Sequence, residues 1–256
     1  MNSRADHLAA FDRLLTIMDE LREQCPWDRK QTIESLRHLT IEETYELGDA
    51  ILDKNYVEIK NELGDLFLHL VFYSKIGSEL KAFDVADVLN GICEKLIHRH
   101  PHIYGDVQVD NEEDVKRNWE KLKLKEGKKS VFEGVPKGLP AMVKAYRMQE
   151  KAKGVGFEFD SADDTWAKVE EEIQEFKTET NSEKREKEFG DILFSLINYA
   201  RYTGINPENA LERTNQKFLK RFQKMEILAE SKGLKFSDLS IEDQDELWNE
   251  TKKEIN

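Results

Sequence analysis

The sequence contains two stretches in which carboxylates occur in pairs three residues apart, a spacing that puts both side chains on one helix face. In the first stretch, Glu43 pairs with Glu46 and Glu62 pairs with Asp65, and the turn-forming residues Asp53–Asn55 lie between the pairs. Positions 46 and 62, like positions 43 and 65, are centred on position 54. A chain that folds back at this turn brings the four carboxylates together, and we call them the first acidic set.

A second stretch repeats the arrangement with Glu172, Glu175, Glu188 and Asp191, which we call the second acidic set. Its pairs are centred on the polar sequence TETNSEK, which again favours a turn. The sequences LFLHLVFY and ILFSLINYA directly follow the two sets, and helices that are apolar on nearly every face are usually buried. We therefore expect both acidic sets to lie at the edge of a helical core.

Carboxylates grouped in this way indicate a cation site. Two carboxylates about 5 Å apart repel each other by roughly 3 kcal/mol at an effective dielectric constant near 20, so four of them need protons or a cation. Ligands that are all oxygen are typical of Mg²⁺, with Mn²⁺ as a substitute. A single ExxE in a chain with 36% charged residues is an ordinary solvated helix face. Two hairpins with turn-centred pairs favour metal binding instead.

Basic side chains suited to phosphate binding occur at matching positions in the two halves. Lys and Arg four residues apart share a helix face and suit the oxygens of a polyphosphate, although such a pair is also common on a solvated face. The pairs are Lys95 with Arg99 and Lys217 with Arg221. Lys168 lies one helical turn before Glu172 and adds a third cation, whereas Leu39 occupies the matching position of the first half.

Other kinds of chemistry have less support in the sequence. Trp119 and Trp248 occupy similar late positions in the two halves, where they could stack on a nucleobase or pack in a core. The sequence HRHPH, His98–His102, has no partner cysteine that would favour zinc. Neither a GxSxG sequence nor a glycine-rich phosphate loop occurs, so a nucleophilic triad and a P-loop are not indicated.

The periodicity predicts an all-α fold, and the only candidate strand is the short run Ile103–Val109. Helix start signals occur at Thr40, Asn206 and Ser240. Prolines and glycines cluster in residues 126–142, which we interpret as a linker between residues 1–125 and residues 143–256. EETYE and ELGD in the first half match EEIQE and EFGD in the second, in the same order, so the halves indicate an internal duplication.

The composition excludes several classes of partner. A net charge of −13 argues against nucleic-acid binding and against docking on anionic membranes. No apolar run is long enough to cross a bilayer, and the first residues lack the core and cleavage site of a signal peptide. Two cysteines, Cys25 and Cys93, give no disulfide framework. We therefore expect a cytoplasmic protein.

Taken together, these motifs resemble the MazG nucleoside triphosphate pyrophosphohydrolases of the all-α NTP pyrophosphatase superfamily. EExxE followed by ExxD occurs twice, with gaps of 15 and 12 residues. CPWDRKQT, HRHPHIYG, GLPA and VGF resemble the two-domain bacterial form, so the resemblance covers nearly the whole chain. It implies two tandem helical-bundle MazG domains, a homodimer, and Mg²⁺-dependent hydrolysis of NTPs or dNTPs to NMP and pyrophosphate.

The resemblance also implies roles for individual residues. Both acidic sets match metal-ligand positions. Glu171, with Glu172 and Glu175, would be catalytic, and Glu171 would contact the nucleotide or the attacking water. The substrate-binding positions would be Lys168, Lys217, Arg221 and Trp248, with Lys95 and Arg99 as the counterparts in the first half. Because Leu39 replaces the lysine, we expect the second half to be the better catalytic site.

Two further interpretations fit the same motifs. The chain could hydrolyse non-standard nucleotides or alarmones such as ppGpp, because base choice depends on loop contacts that the motifs do not specify. Alternatively, it could be a non-catalytic helical interaction module in which the metal sites are structural. Whether the two halves pair within one chain or across a dimer is also open at this point.

Overall fold

The computed structural model describes residues 2–111, 114–115, 118–119, 122 and 130–254. Over these residues every regular element is a helix, which confirms the predicted all-α fold. None of the described helices is long and apolar enough to cross a membrane. The contacts divide the chain into two compact units, residues 1–109 and 110–256. The predicted linker, residues 126–142, lies partly outside the described residues, so the predicted domain limits stay predictions.

The first unit is a bundle in which α1 and the hairpin of α2 and α3 enclose an apolar core. The helices are α1 Arg4–Gln24, α2 Ile33–Leu52, α3 Tyr56–Glu79, α4 Val85–Arg99 and α5 Pro101–Tyr104. A 3-10 turn, Asp28–Lys30, connects α1 to α2. The buried core residues are Met18, Leu36, Val71, Phe72 and Ile76. This core fixes the two helices that carry the first acidic set.

The second unit repeats the hairpin, with α7 packed against α8 and α6 packed on α8. The helices are α6 Ala141–Lys153, α7 Ala162–Thr178, α8 Ser182–Tyr202, α9 Pro207–Ser231 and α10 Ile241–Glu254. A 3-10 turn, Phe236–Asp238, precedes α10. A separate apolar cluster of Met225, Ala229 and Leu247 joins α9 to α10. The hairpin of α7 and α8 therefore carries the second acidic set.

Both hairpins turn close to the predicted positions. In the first, Lys54 adopts the left-handed conformation with φ 55°, and the Asn55 side chain accepts hydrogen bonds from the backbone N–H groups that open α3. In the second, Asn181 caps α8 by accepting from the N–H of Lys184 at 3.1 Å. The prediction that the chain reverses at these two places is confirmed, and the reversal brings the two helices that carry each acidic set side by side.

The predicted helix starts are confirmed at two positions and wrong at the third. Asn206 caps α9 and Ser240 caps α10, as their side-chain hydrogen bonds show. Thr40 lies inside α2, where its hydroxyl donates to the carbonyl of Leu36 at 3.1 Å, the usual way a threonine is accommodated within a helix. The capping box of α2 is instead formed by Thr32 and Ser35.

The predicted strand at 103–109 does not form. Pro101 occupies the first turn of α5, a position that suits its fixed φ and missing N–H, and Ile103 lies within that helix. Polar and apolar residues alternate in this segment as they do in a strand. Among the described residues, however, no strand exists with which the segment could pair.

The expectation that the helices after the acidic sets are buried on every face is only partly correct. Each of α3 and α8 buries one face and exposes an apolar stripe on another, with side chains between 39% and 56% exposed. These outer apolar stripes are Leu63, Phe67 and Leu70 on α3, and Phe189, Leu193 and Leu196 on α8. The stripes occupy matching positions relative to the two ExxD sequences. Within the described residues of each unit they remain exposed to solvent.

Candidate functional site

Three of the four members of the first acidic set converge. Glu43 on α2 and Glu62 and Asp65 on α3 each offer a carboxylate oxygen within 4.8 Å of the others. Glu46 is exposed and is not part of this group. The hairpin therefore brings three of the four predicted carboxylates together, and Glu46 is the member outside the group.

The first acidic set carries uncompensated negative charge. Burial, followed by the charges of Asp65 and Glu46, raises the pKa of Glu43. Burial, followed by Glu46 and Glu43, likewise raises the pKa of Glu62. One oxygen of Glu62, Oε2, is buried without a hydrogen-bond partner among the described residues. A cluster of oxygens that repel one another and lack donors suits a hard divalent cation such as Mg²⁺.

The second acidic set converges in the same way. Glu172 on α7 and Glu188 and Asp191 on α8 each bring an oxygen within 4.8 Å of the others, and Glu172 is only 7% exposed. Burial, followed by the charges of Glu175 and Asp191, raises the pKa of Glu188. Glu175 is exposed and stays outside the group, as Glu46 does in the first unit. The donor set again consists of carboxylate oxygens and fits Mg²⁺ or Mn²⁺.

A lysine distinguishes the second set from the first. Lys168 Nζ lies 2.7 Å from Glu171 Oε1 and 2.8 Å from Glu172 Oε1. These hydrogen bonds, first to Glu171 and then to Glu172, raise the pKa of Lys168, so the ammonium stays charged at neutral pH. Leu39, at the matching position of α2, packs against the apolar core instead. Among the described residues, the second set thus has a lysine beside it at the position where the first set has Leu39.

A cavity of about 420 Å³ opens beside the second acidic set. Lys168, Glu172 and Asp191 lie on its lining, together with the aromatic side chains of Phe132, Phe157, Phe159 and Phe194 and the polar side chains of Gln149, Glu158, Asn198 and Arg201. A volume of this size is within the usual range for small-molecule sites, which combine apolar walls with a few polar groups. The cavity therefore extends from the second acidic set to a group of aromatic side chains.

Other predicted substrate-binding residues lie elsewhere in the structure. Arg221 stacks on the ring of Trp248, with its guanidinium carbon 5.5 Å from the ring centroid, and Phe218 packs on the same ring. Lys217 is exposed on α9. None of these residues lines the cavity. Lys95 and Arg99 lie on α4 of the first unit, and their predicted role remains a prediction.

Sequence reasoning missed the polar residues that line the apolar part of the cavity. Gln149 donates from Nε2 to the backbone carbonyl of Phe194 at 2.8 Å. Arg201 forms an ion pair with Glu158 at 2.8 Å and donates to Asn198 Oδ1 at 2.9 Å. The only signal available was helical spacing from Asp191, because positions 194, 195, 198 and 201 fall on the same face of α8.

Comparison with known proteins identifies the family. Residues 31–104 match the MazG nucleotide pyrophosphohydrolase domain. The nucleoside triphosphate pyrophosphohydrolase/pyrophosphatase MazG of Thermotoga maritima is 43% identical over 247 residues, covering 94% of this chain and 95% of that protein. The chain belongs to the MazG family. The nucleoside triphosphate pyrophosphohydrolase of Escherichia coli K12 is 36% identical over 256 residues, covering 95% and 97% of the two chains.

A further relative, the uncharacterized protein YabN of Bacillus subtilis, is 44% identical over 252 residues. The match covers 95% of this chain and 52% of YabN. The similarity to MazG proteins therefore extends over both helical hairpins, and the predicted family is confirmed.

Proposed function

We propose that the second unit hydrolyses nucleoside triphosphates to nucleoside monophosphate and pyrophosphate with Mg²⁺ bound by Glu172, Glu175, Glu188 and Asp191. Membership of the MazG family makes the chain a nucleoside triphosphate pyrophosphohydrolase, which acts on phosphoric anhydrides. The observation that carries the assignment to this unit is the convergence of three of these carboxylates beside a cavity that Glu172, Asp191 and Lys168 line. Mn²⁺ is expected to substitute, since its ligand preference is similar.

In this reaction the carboxylates and the lysine have separate tasks. When bound, Mg²⁺ supplies positive charge to the polyphosphate and lowers the pKa of a coordinated water. Glu172, Glu188 and Asp191 would hold the cation from the two helices of the hairpin, and Glu175 would complete the set as a further ligand. Lys168 contacts the phosphate oxygens and offsets negative charge as the bond to pyrophosphate breaks.

We assign to Glu171 the role of accepting the proton of the attacking water. Its carboxylate is exposed and is held by Lys168 at 2.7 Å, next to the second acidic set. The water oxygen forms a bond to phosphorus, the bridging P–O bond breaks with its electrons going to pyrophosphate, and Glu171 accepts the water proton. Lys217 and Arg221 are proposed to contact phosphates and Trp248 the base.

For the first unit we propose metal binding by Glu43, Glu46, Glu62 and Asp65, with Lys95 and Arg99 as phosphate contacts and lower catalytic activity. Leu39 supports the lower activity, because it leaves the first acidic set without the cation that Lys168 provides.

We also propose that the chain forms a homodimer in the cytoplasm. The two outer apolar stripes support the dimer, because contiguous apolar side chains at matching positions of α3 and α8 stabilise a bundle when a second copy covers them. Cys25 and Cys93 are free thiols, in keeping with a reducing compartment.

The reaction is tested by incubating the full chain with each of the common NTPs and dNTPs, with a damaged nucleotide and with ppGpp, in Mg²⁺. We expect NMP and pyrophosphate in equal amounts from the triphosphates. Chelation with EDTA should stop turnover and added Mg²⁺ or Mn²⁺ should restore it. Release of single phosphate groups would contradict the proposed reaction.

A further inference from the structure

One carboxylate of the second acidic set is paired with a lysine. Glu172 is buried, and Lys168 Nζ lies 2.8 Å from its Oε1. Lysine carries a positive charge at neutral pH, and a buried carboxylate is costly without such a partner. In the metal-free protein Lys168 therefore supplies part of the positive charge that a metal ion would bring to Glu172.

The lysine and a metal ion compete for this carboxylate. Glu172 contributes one of the three carboxylate oxygens that lie within 4.8 Å of one another in the second acidic set. A cation that takes Glu172 as a ligand is therefore brought next to the ammonium group of Lys168, and like charges so close together repel each other. As long as Lys168 stays on Glu172, metal binding to this set is weakened.

Lys168 also has a partner at the surface. Its Nζ lies 2.7 Å from Glu171 Oε1, and the side chains of Lys168 and Glu171 are 35% and 55% exposed. The ammonium group thus lies between a buried carboxylate and an exposed one, where a ligand that arrives from solvent can reach it. The oxygens of a triphosphate carry several negative charges and attract lysine strongly.

We propose that Lys168 is a built-in counter-ion that weakens metal binding to the second acidic set until a triphosphate draws the lysine away from Glu172. The proposal rests on the proposed function and concerns the regulation of the same site. It makes the metal ion and the triphosphate bind cooperatively, because the phosphate removes the charge that opposes the metal.

The same movement changes the neighbouring carboxylate. When Lys168 turns to a phosphate, Glu172 becomes available to the cation, and Glu171 loses the ion pair that holds it in the metal-free protein. Glu171 is the residue to which we assign the water proton, and a carboxylate without a lysine on it accepts a proton more readily. The metal ligand and the proton acceptor are therefore completed by one contact with the substrate.

The first acidic set lacks this competitor at the matching position. Leu39 packs against the apolar core there, and the pKa values of Glu43 and Glu62 are raised by burial and by neighbouring carboxylates. We therefore expect the first set to bind a metal ion without help from a nucleotide.

The test is a titration of the full chain with Mn²⁺ in the absence of nucleotide, with free Mn²⁺ measured by electron paramagnetic resonance. Glu43→Ala with Asp65→Ala removes two proposed ligands of the first set, so that binding reports on the second. In this background Lys168→Met, which removes the charge and keeps the side-chain length, should raise the affinity for Mn²⁺ about tenfold. Lys177→Met is the matched control, because it removes an exposed lysine of the same helix, and it should change the affinity less than about twofold.

Two further substitutions separate charge from packing and cover the case in which Lys168→Met does not fold. Lys168→Gln can still donate a hydrogen bond to Glu172, so the buried carboxylate keeps a partner, and it should raise the affinity for Mn²⁺ about fivefold. Lys168→Arg keeps the charge and should stay within about twofold of the lysine chain. No gain in either neutral variant, or an equal gain in Lys168→Arg, would overturn the proposal.

The cooperativity is measured with an ATP analogue that has a methylene group between its α and β phosphorus atoms and so cannot release pyrophosphate. In the same background, Mn²⁺ should raise the affinity for the analogue by a factor about tenfold larger with Lys168 than with Lys168→Met. Binding of Mn²⁺ to the analogue itself is the same in both titrations and cancels in the ratio. Equal factors would mean that phosphate does not draw the lysine away from Glu172.

Failure of this proposal can be told apart from failure of the proposed function. If the wild-type chain releases NMP and pyrophosphate while the neutral variants bind Mn²⁺ no more tightly, the reaction stands and the counter-ion role is wrong. If the wild-type chain releases other products, the proposed function is wrong, and the Mn²⁺ titrations still show whether Lys168 opposes metal binding.

Discussion

The two acidic sets are built on the same kind of helical hairpin, yet their surroundings differ. In the first unit, the position before the set is Leu39, which packs on the core, and in the second it is Lys168, which pairs with Glu171 and Glu172. Three oxygens converge within 4.8 Å in both units. The hairpin alone is therefore enough to bring the carboxylates together, and among the described residues the two sets differ in the lysine beside them.

A second difference lies on α3 and α8, one to two helical turns after the ExxD sequences. Aligning the two ExxD sequences pairs Ser195 with His69 and Asn198 with Phe72. Ser195 and Asn198 line the cavity, whereas Phe72 is part of the core with Met18 and Leu36. His69 is buried, and burial lowers its pKa although Asp65 opposes the shift. In the first unit, this face of α3 therefore packs in the core. In the second unit, the matching face of α8 lines a cavity.

The largest effect should come from removing the proposed metal ligands of the second unit, and the same change in the first unit is the comparison. Glu172→Ala with Asp191→Ala should lower NTP hydrolysis by about 1,000-fold or more, since both the cation and the charge stabilisation it brings are lost. The equivalent pair, Glu43→Ala with Asp65→Ala, should leave turnover within about threefold of wild type. Initial rates of pyrophosphate release measure both. Equal losses from the two double variants would contradict the assignment of catalysis to the second unit.

The next effect is on the free energy of unfolding. It tests whether Phe72 packs in a core at the position where Asn198 borders a cavity. Phe72 is 2% exposed, so Phe72→Ala should destabilise the first unit by about 3–5 kcal/mol, the usual cost of deleting a buried aromatic ring. Asn198→Ala should cost only about 1 kcal/mol, because it borders a cavity and loses mainly its bonds to Arg201. Urea denaturation of the full chain gives both values. A similar cost for the two variants would contradict the difference.

A smaller effect is expected from making the second unit resemble the first at one position. Lys168→Leu removes a charged hydrogen bond to phosphate, worth roughly 1.5–3 kcal/mol, so kcat/KM should fall about 10- to 100-fold. Lys177→Leu, on the exposed surface at the end of α7, is the matched control and should have little effect. Unchanged kcat/KM in Lys168→Leu would mean that the lysine only neutralises Glu172.

The sequence allowed prediction of the features that depend on local spacing. Carboxylates three residues apart and a turn at Lys54 predicted that four carboxylates would meet, and three of them, Glu43, Glu62 and Asp65, do so. Gln149 could not be predicted, because it comes from α6 and reaches the site only through its bond to the carbonyl of Phe194. Such contacts depend on how helices pack, which periodicity alone does not determine.

The start of α2 shows a second limit. The capping-box pattern predicted a start at Thr40, whereas the structure forms the box eight residues earlier, at Thr32 and Ser35. Extending the helix by two turns buries Leu36 in the core, and this tertiary contact decides between the two starts. The same longer helix positions Leu39 against the core rather than beside the acidic set.

The smallest effect is the pH dependence of the metal-free protein, which should differ between the two sets. Burial and neighbouring carboxylates raise the pKa of both Glu43 and Glu62 above the ordinary value of 4.5, so the native state holds protons that the unfolded chain has released. The free energy of unfolding should therefore fall as pH rises from about 4.5 through the raised pKa values. In EDTA, Glu62→Gln should make this decline shallower and raise the melting temperature at pH 7.

Glu188→Gln is the matched variant in the second unit, where burial and Glu175 raise the pKa of Glu188 but Lys168 offsets the charge of Glu172. Its effect on the decline should be smaller than that of Glu62→Gln, since Lys168 offsets part of the negative charge around Glu188. Glu226→Gln, on an exposed face of α9, should leave the slope unchanged.

Saturating Mg²⁺ should remove the difference between wild type and Glu62→Gln by stabilising the ionised cluster, because the cation binds only the native, deprotonated ligands. A pH profile that Glu62→Gln does not alter would mean that the repulsion in the first set is relieved by something other than a proton or a cation.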